Sequence, residues 1–97
     1  MLFHAVLFNF KSDVSEEQRA SILQAARDKL IPIPGVLHLL AGKCVKPDSP
    51  YAYAITMYFA GGGPELQAYR IHPDHEHFRD VTFFPYLEDK LGLDYES

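Results

Sequence analysis

The stretch Leu2-Phe-His-Ala-Val-Leu-Phe-Asn-Phe10 is apolar on both sides of an extended chain. Successive side chains of a β-strand point to opposite faces. One face carries Leu2, His4, Val6, Phe8 and Phe10, and the other carries Phe3, Ala5 and Leu7. An antiparallel sheet often leaves one face in water. Because neither face of this strand is polar, we expect helices to cover one face of the sheet and a second apolar surface to cover the other.

A helix is predicted soon after this strand. Ser15 and Gln18 have the spacing of a capping box, in which the serine hydroxyl accepts the N–H of Gln18 and the glutamine side chain reaches back to the N–H of Ser15. The apolar residues that follow recur at helical spacing and predict one buried stripe, formed by Ile22, Leu23, Ala26 and Leu30. The proline-rich run 32–35 then ends the helix.

The segments that follow complete a β-α-β-β-α-β order. Further strands are predicted at about 36–45, 51–60 and 90–95, and helical pieces at about 64–70 and from Pro73 onward. Gly42, inside the second strand, predicts a bulge or a close backbone contact. The short connection between the second and third strands predicts an antiparallel pair. The order indicates an α+β, ferredoxin-like fold, with helices on one face of a four-stranded antiparallel sheet.

Length and composition limit the classes of protein to consider. A chain of 97 residues has room for a single domain, residues 1–97. It is 47% hydrophobic, which is more apolar surface than a small monomer readily buries, so we expect a homodimer formed through the sheet face that the helices leave open. The net charge of −4 and the lack of a basic stripe argue against a nucleic-acid partner and against an anionic membrane surface.

The expected location of the chain is the cytoplasm. Cys44 is the single cysteine, so no internal disulfide can form, which fits a reducing compartment. The first residues lack the basic region of a signal peptide. No apolar run approaches the length of about 20 residues that spans a bilayer.

The segment Tyr69-Arg-Ile-His-Pro-Asp-His-Glu-His-Phe78 holds three of the five histidines, with two carboxylates and a tyrosine. Metal-ligand pairs on a helix are spaced by three or four residues. His72 and His75 have that spacing, but Pro73 breaks the helix between them and no third ligand is evident. We therefore predict no metal site and no other cofactor.

Five features together resemble the stress-responsive A/B barrel domain family. They are His4 in the first strand, Ile33-Pro34-Gly35-Val36 after the first helix, Gly42 in the second strand, the pattern Tyr69-x-x-His72-Pro73-x-His75-x-x-Phe78, and Leu93-Asp94-Tyr95 at the end. The features span nearly the whole chain. The resemblance implies a dimeric α+β barrel in which two sheets pack face to face, with a cavity in each subunit between the sheet and the helices.

The resemblance also implies candidate site residues. In olivetolic acid cyclase, a plant member of the family, a histidine and a tyrosine carry out acid–base chemistry in an aldol-type ring closure. The matching positions here are His75 and Tyr69, and His4 also has a counterpart near that pocket. Two positions depart from the cyclase, since Tyr53 replaces a strand histidine and Ala26 replaces a helix tyrosine. The substrate of the cyclase is therefore not expected here.

His75 and Tyr69 are the predicted catalytic pair. A histidine with a near-neutral pKa can take up a proton and return it, and a tyrosine hydroxyl can donate to a developing oxyanion. A structural alternative stays open, in which His75 binds a backbone carbonyl and Tyr69 only packs. The residues expected to line a ligand pocket are His4, Val6, Phe8, Leu23, Ala26, Tyr53, Ile55, Met57, His72 and Phe78.

Three functions are compatible with these patterns. The first is binding of a small hydrophobic or carbonyl-bearing ligand in an intrasubunit pocket, with proton transfer of the cyclase or lyase type. The second is a non-catalytic stress-response or assembly dimer. The third is a monooxygenase of the same barrel type that works without a cofactor.

Overall fold

The computed structural model describes the whole chain, residues 1–97. The strands are β1 (Leu2–Phe10), β2 (Leu37–Lys43), β3 (Tyr53–Phe59) and β4 (Leu87–Glu96). The helices are α1 (Glu16–Leu30), α2 (Gly63–Arg70) and α3 (Pro73–His77). A π-helical segment (Phe78–Phe83) and a 3-10 turn (Phe84–Tyr86) follow α3. The predicted β-α-β-β-α-β order and the ferredoxin-like fold are confirmed.

The four strands form one antiparallel sheet in the order β2-β3-β1-β4. Strand β1 lies in the interior of the sheet and pairs with β4 along its whole length, from Leu2 opposite Glu96 to Phe10 opposite Leu87. The last strand is therefore longer than the predicted 90–95. Of the extra residues, Leu87, Asp89 and Glu96 lie opposite residues of β1, and a register shift between Asn9 and Phe10 leaves Glu88 without an opposite residue.

The irregularity predicted in β2 lies at a different residue. Gly42 pairs with Ala54 in regular register, and a Cβ added to it would meet no other atom within 4 Å. The register instead shifts between Leu37 and Leu40, where His38 has a φ of 52°. A positive φ is uncommon for a residue with a Cβ and is usually indicated in a sequence by a glycine. Because a histidine occupies this position, the sequence does not indicate the irregularity.

Helix α1 begins with the predicted capping box. The Gln18 N–H donates to Ser15 Oγ over 3.1 Å, and the Ser15 N–H donates to Gln18 Oε1 over 3.1 Å. Its apolar stripe is buried in the core, as predicted, through Ile22, Leu23, Ala26 and Leu30. This helix and the shorter ones cover one face of the sheet, which we call the inner face and define by His4 and Val6 of β1 with Ile55 and Met57 of β3.

The opposite, outer face of the sheet is also apolar. Phe3 packs between Tyr58 and Tyr95, with ring centroids 5.2 Å and 5.0 Å away. The large apolar side chains of this face that are more than one-third exposed are Leu37, Leu40, Leu91, Leu93 and Tyr95. None of the helices is long and apolar enough to cross a membrane.

Candidate functional site

A cavity of about 230 Å³ lies between the inner face of the sheet and the helices. Eight of its twelve lining residues are hydrophobic, so it suits a ligand with an apolar body and few polar groups. An engineered cavity of about 150 Å³ in another protein holds benzene. The volume here is therefore enough for a substituted aromatic ring or a compact branched chain.

The structure brings seven of the predicted site residues to this cavity. They are His4, Val6, Ile55, Met57, Tyr69, His75 and Phe78. Five elements on two sides supply them: β1 and β3 form one side, and α2, α3 and the π-helical segment form the opposite side. The family pattern from Tyr69 to Phe78 thus folds over the central strands, where its side chains meet His4.

Five predicted pocket residues do not line the cavity. Four of them are packed in the core: Phe8, Leu23, Ala26 and Tyr53. The rings of Phe8 and Tyr53 stack with centroids 5.8 Å apart, and Phe83 meets Phe8 edge-on at 4.8 Å. These aromatic rings fill the end of the layer into which we expected the pocket to extend. The fifth residue, His72, is the N-cap of α3, where Nδ1 accepts the N–H of Asp74 over 3.1 Å.

A backbone hydrogen bond orients His75. Its Nδ1 lies 2.9 Å from the carbonyl oxygen of Arg70. Because a carbonyl oxygen can only accept, Nδ1 carries the proton and donates it, and in the neutral ring Nε2 is the free acceptor. The bond expected of a structural histidine is thus present, but it occupies one ring nitrogen and leaves the other for a ligand.

The surroundings of His75 favour its neutral form. Burial lowers the pKa of His75 below its ordinary value, and the hydrogen bond to the Arg70 carbonyl acts in the opposite direction. Electrostatic interactions with Arg79 and His4 lower the pKa of His75 further, whereas Glu76 raises it. At neutral pH His75 is therefore an uncharged imidazole, which is the form that accepts a proton.

Tyr69 packs directly beside His75, with ring centroids 4.4 Å apart. Its ring is buried against Phe59 and His4, at centroid distances of 5.3 Å and 6.0 Å. The Tyr69 hydroxyl makes no hydrogen bond within the chain. Every fully buried side-chain polar atom has a partner, so this hydroxyl is not fully buried. Because Tyr69 lines the cavity, the hydroxyl is accessible to a ligand there. Burial raises the pKa of Tyr69 above its ordinary value, against the opposing charge of Arg70, and the hydroxyl stays a hydrogen-bond donor.

His4 is held by a carboxylate from β4. Its Nδ1 is hydrogen-bonded to Oδ1 of Asp94, the residue opposite it in the sheet, and Oδ2 of Asp94 accepts from Nη2 of Arg70 over 2.9 Å. Asp94 belongs to the family motif Leu93-Asp94-Tyr95, but no role was predicted for it. Its signal was its place in β4, where it is an acidic residue between the outward-facing Leu93 and Tyr95.

Five lining residues were not predicted from the sequence. They are Leu30, Arg70, Arg79, Phe83 and Phe84. Three of them lie in or directly after the π-helical segment, whose wider turn changes which side chains share a face. Such segments are rare and frequent at functional sites. Ordinary helical periodicity does not predict them.

No three side chains of metal-binding type come together in the chain.

The family model described as the stress responsive A/B barrel domain matches residues 2–97. The chain belongs to the stress-responsive A/B barrel family. No curated protein matches it. An A/B barrel protein from Mesorhizobium loti, described as having a ferredoxin-like fold, is 28% identical with a TM-score of 0.90, and the match covers 99% of this chain and 95% of that chain.

Two further solved structures show the same A/B barrel fold at lower identity. A dimeric ferredoxin-like protein of unknown function from Thermobifida fusca is 22% identical with a TM-score of 0.86, over 99% of this chain and 90% of that chain. The hydroxynitrile lyase from Passiflora edulis is 20% identical with a TM-score of 0.85, over 97% of this chain and 90% of that chain. Structures described as dimeric are thus among those similar to this A/B barrel.

Proposed function

We propose that the chain is a homodimeric A/B barrel protein that binds a small, largely apolar carbonyl compound in its cavity and transfers a proton on it. The observation that carries the proposal is the contact of Tyr69 with His75, 4.4 Å between ring centroids, in the wall of a largely apolar cavity. His75 Nε2 takes a proton from the carbon beside the carbonyl group. The Tyr69 hydroxyl donates a hydrogen bond to the carbonyl oxygen as it becomes negative, and the imidazolium then returns the proton to the product.

The physical setting of the two side chains supports these roles. A base must be unprotonated before it can act, and burial lowers the pKa of His75. A hydrogen-bond donor stabilises a developing oxyanion most in a site from which water is excluded, and the cavity walls are mainly aliphatic and aromatic. A lyase among the proteins with this fold is consistent with the proposal.

The homodimer part of the proposal rests on the outer face of the sheet. Its apolar residues on β2 and β4 remain exposed in the single chain, and a second copy of the same face would cover them. Similar structures are described as dimeric. This arrangement leaves the cavity, on the inner face, inside each subunit.

An exchange experiment tests the chemistry. In D₂O, phenylacetone would be followed by ¹H NMR for loss of its α-protons, with and without the protein. We expect the protein to accelerate exchange, and His75→Asn to lose about 10²-fold or more of that acceleration. Asparagine keeps an N–H donor near the position of Nδ1, so it can still bind the Arg70 carbonyl, but it has no counterpart of Nε2. Tyr69→Phe, which removes only the hydroxyl, should cost a similar factor.

The matched control is His77→Asn, because His77 is on the same helix and exposed. It should exchange phenylacetone like the wild type. If wild type and His75→Asn accelerate exchange equally, His75 is not the base.

A non-catalytic assembly dimer is the second candidate function, and the apolar outer face favours it. It predicts that none of the three variants changes the exchange rate of phenylacetone and that all three still dimerise.

A further inference from the structure

We propose that the ligand of the cavity carries a carboxylate, which binds between Arg70 and Arg79 at the cavity opening while the apolar body of the ligand fills the interior. This inference rests on the proposed function and specifies that the ligand is negatively charged. The supporting observation is that two cationic side chains lie in the wall of a largely apolar cavity.

The two arginines lie where the cavity meets solvent. Both line the cavity, and their side chains are 42% and 33% exposed for Arg70 and Arg79, respectively. They approach the opening from different elements, since Arg70 ends α2 and Arg79 lies in the π-helical segment. A group held between them would therefore close the opening above the apolar walls.

The permanently charged residues of the cavity lining are opposite in sign to the net charge of the chain. The net charge is −4, yet the lining residues include two arginines and no carboxylate. The carboxylates that bind the arginines, Asp94 and Asp80, are outside the lining. A third cation is close, because Nζ of Lys90 lies 4.4 Å from the ring centroid of the lining residue Phe84. The lining thus offers an anionic group two arginines, each already paired with one carboxylate outside the lining.

Both guanidinium groups keep unused hydrogen-bond donors. Arg70 donates through Nη2 to Asp94, which leaves Nε and Nη1 without partners in the chain. Arg79 donates through Nε and Nη2 to Asp80, which leaves Nη1. A guanidinium has five N–H donors in a planar fork that matches a carboxylate. The remaining donors can bind a ligand carboxylate without breaking the existing pairs.

The ion pair of Arg79 with Asp80 does not give Arg79 a substantial structural role. The two residues are sequence neighbours, and Asp80 is exposed, so their pairing adds little to stability. Removing the Arg79 charge should therefore leave the fold intact. That makes Arg79 a better probe than Arg70, whose side chain also holds Asp94 and, through it, His4.

A matched pair of ligands tests the inference. The probes are 3-phenylpropanoate and 3-phenylpropanamide, which differ in charge and little in shape, and their binding to the full chain would be measured by isothermal titration calorimetry at low ionic strength. We expect the acid to bind at least about tenfold more tightly than the amide, because a charge-assisted bidentate contact is stronger than a neutral one. Added salt should reduce this difference, since the arginines are partly exposed.

Three variants test whether Arg79 causes the difference in affinity between the acid and the amide. Arg79→Gln should lose most of the preference for the acid and bind the amide as before. Lys29→Gln, which removes one positive charge from an exposed position of α1, should bind both probes like the wild type. Asp80→Asn, which frees Nε and Nη2 of Arg79, should bind the acid more tightly than the wild type does, and this gain does not depend on the folding of Arg79→Gln.

The outcomes separate this inference from the proposed function. Equal affinity for acid and amide, or an equal loss of both in Arg79→Gln, overturns the carboxylate site and leaves proton transfer on a neutral ligand in place. Failure of both probes to bind also counts against the carboxylate site. In each case the exchange of phenylacetone, a neutral ketone, decides the proposed function independently.

Discussion

Arg70 connects the two histidines of the cavity through different atoms. Its carbonyl oxygen accepts from His75, and its guanidinium binds Asp94, which in turn holds His4. The carbonyl is available because the last carbonyl groups of a helix have no partner within it. The end of α2 just before the His72-Pro73 corner therefore orients the imidazole of His75 by its backbone and that of His4 by its side chain.

Protonation of His75 is expected to destabilise the folded chain. Because burial lowers its pKa in the fold, the unfolded chain binds this proton more tightly. The contribution of neutral His75 to stability is fully present above the ordinary histidine pKa of about 6.5. It is lost as the pH falls from there towards the lower pKa that His75 has in the folded chain. Urea unfolding of wild type and His75→Asn at about pH 7.5 and about pH 5.5 would measure the effect.

The wild type should lose more unfolding free energy than His75→Asn does over this interval. His77→Asn, with the exposed histidine removed, should lose as much as the wild type. Equal losses in wild type and His75→Asn would contradict the lowered pKa of His75. The same sign applies to the exchange reaction, whose rate should fall as acid protonates the base.

The start of α1 depends on its capping box. Ser15→Ala removes the hydroxyl that accepts the Gln18 N–H and should lower the free energy of unfolding by about 1 kcal/mol. Ser21→Ala is the matched control, because Ser21 is exposed inside the same helix, where alanine is the better helix former. Chemical denaturation of both variants checks the prediction, and a loss in Ser21→Ala as large as that in Ser15→Ala would contradict it.

Asp94 ties β4 to β1 and α2. Asp94→Asn keeps the shape of the side chain but removes the charge that binds His4 and Arg70. We expect the free energy of unfolding to fall by about 1–2 kcal/mol, towards the low end for hydrogen bonds to charged groups because Asp94 and Arg70 are partly exposed.

Asp48→Asn is the control for Asp94→Asn. Asp48 is exposed, and its nearest cation, Lys46, lies 3.8 Å away, so this change should cost less than about 0.5 kcal/mol. Equal effects of the two substitutions in urea unfolding would mean that the link from β4 to α2 contributes nothing to stability.

The whole molecule has two apolar sheet faces and helices on one of them. A single chain therefore leaves the outer face partly exposed. Complete burial of a large apolar side chain contributes roughly 1.5–3 kcal/mol, and these partly covered side chains would each contribute a fraction of that on pairing. Placing a charge on that face should prevent pairing, because a desolvated and unpaired ammonium group is costly.

Leu93→Lys is the corresponding substitution, since Leu93 lies on the outer face and is 47% exposed in the single chain. In sedimentation velocity experiments at micromolar concentration, the wild type should sediment as a dimer and Leu93→Lys as a monomer. Ile31→Lys makes the same chemical change at a 52% exposed position after α1, among the helices, and should remain dimeric. A wild type that sediments as a monomer would overturn the homodimer.

Local patterns in the sequence determined the fold, and the resemblance to the family supplied the first set of candidate side chains. The two-sided alternation of Leu2–Phe10, the capping box at Ser15 and the stripe on α1 each depend on residues within a few positions, and each appears in the structure as predicted. Through that resemblance, the motif around Tyr69 and His75 indicated two residues that meet in the cavity.

Tertiary structure alone decided which distant groups meet and where space remains. Asp94 reaches His4 only because β4 pairs with β1 in one register, across 90 positions of sequence. Packing of Phe8 against Tyr53 closes one end of the pocket, and the wider π-helical turn brings Arg79 to its opening. Local patterns select backbone conformation, whereas cavity shape and charge depend on how side chains far apart in sequence fill a shared volume.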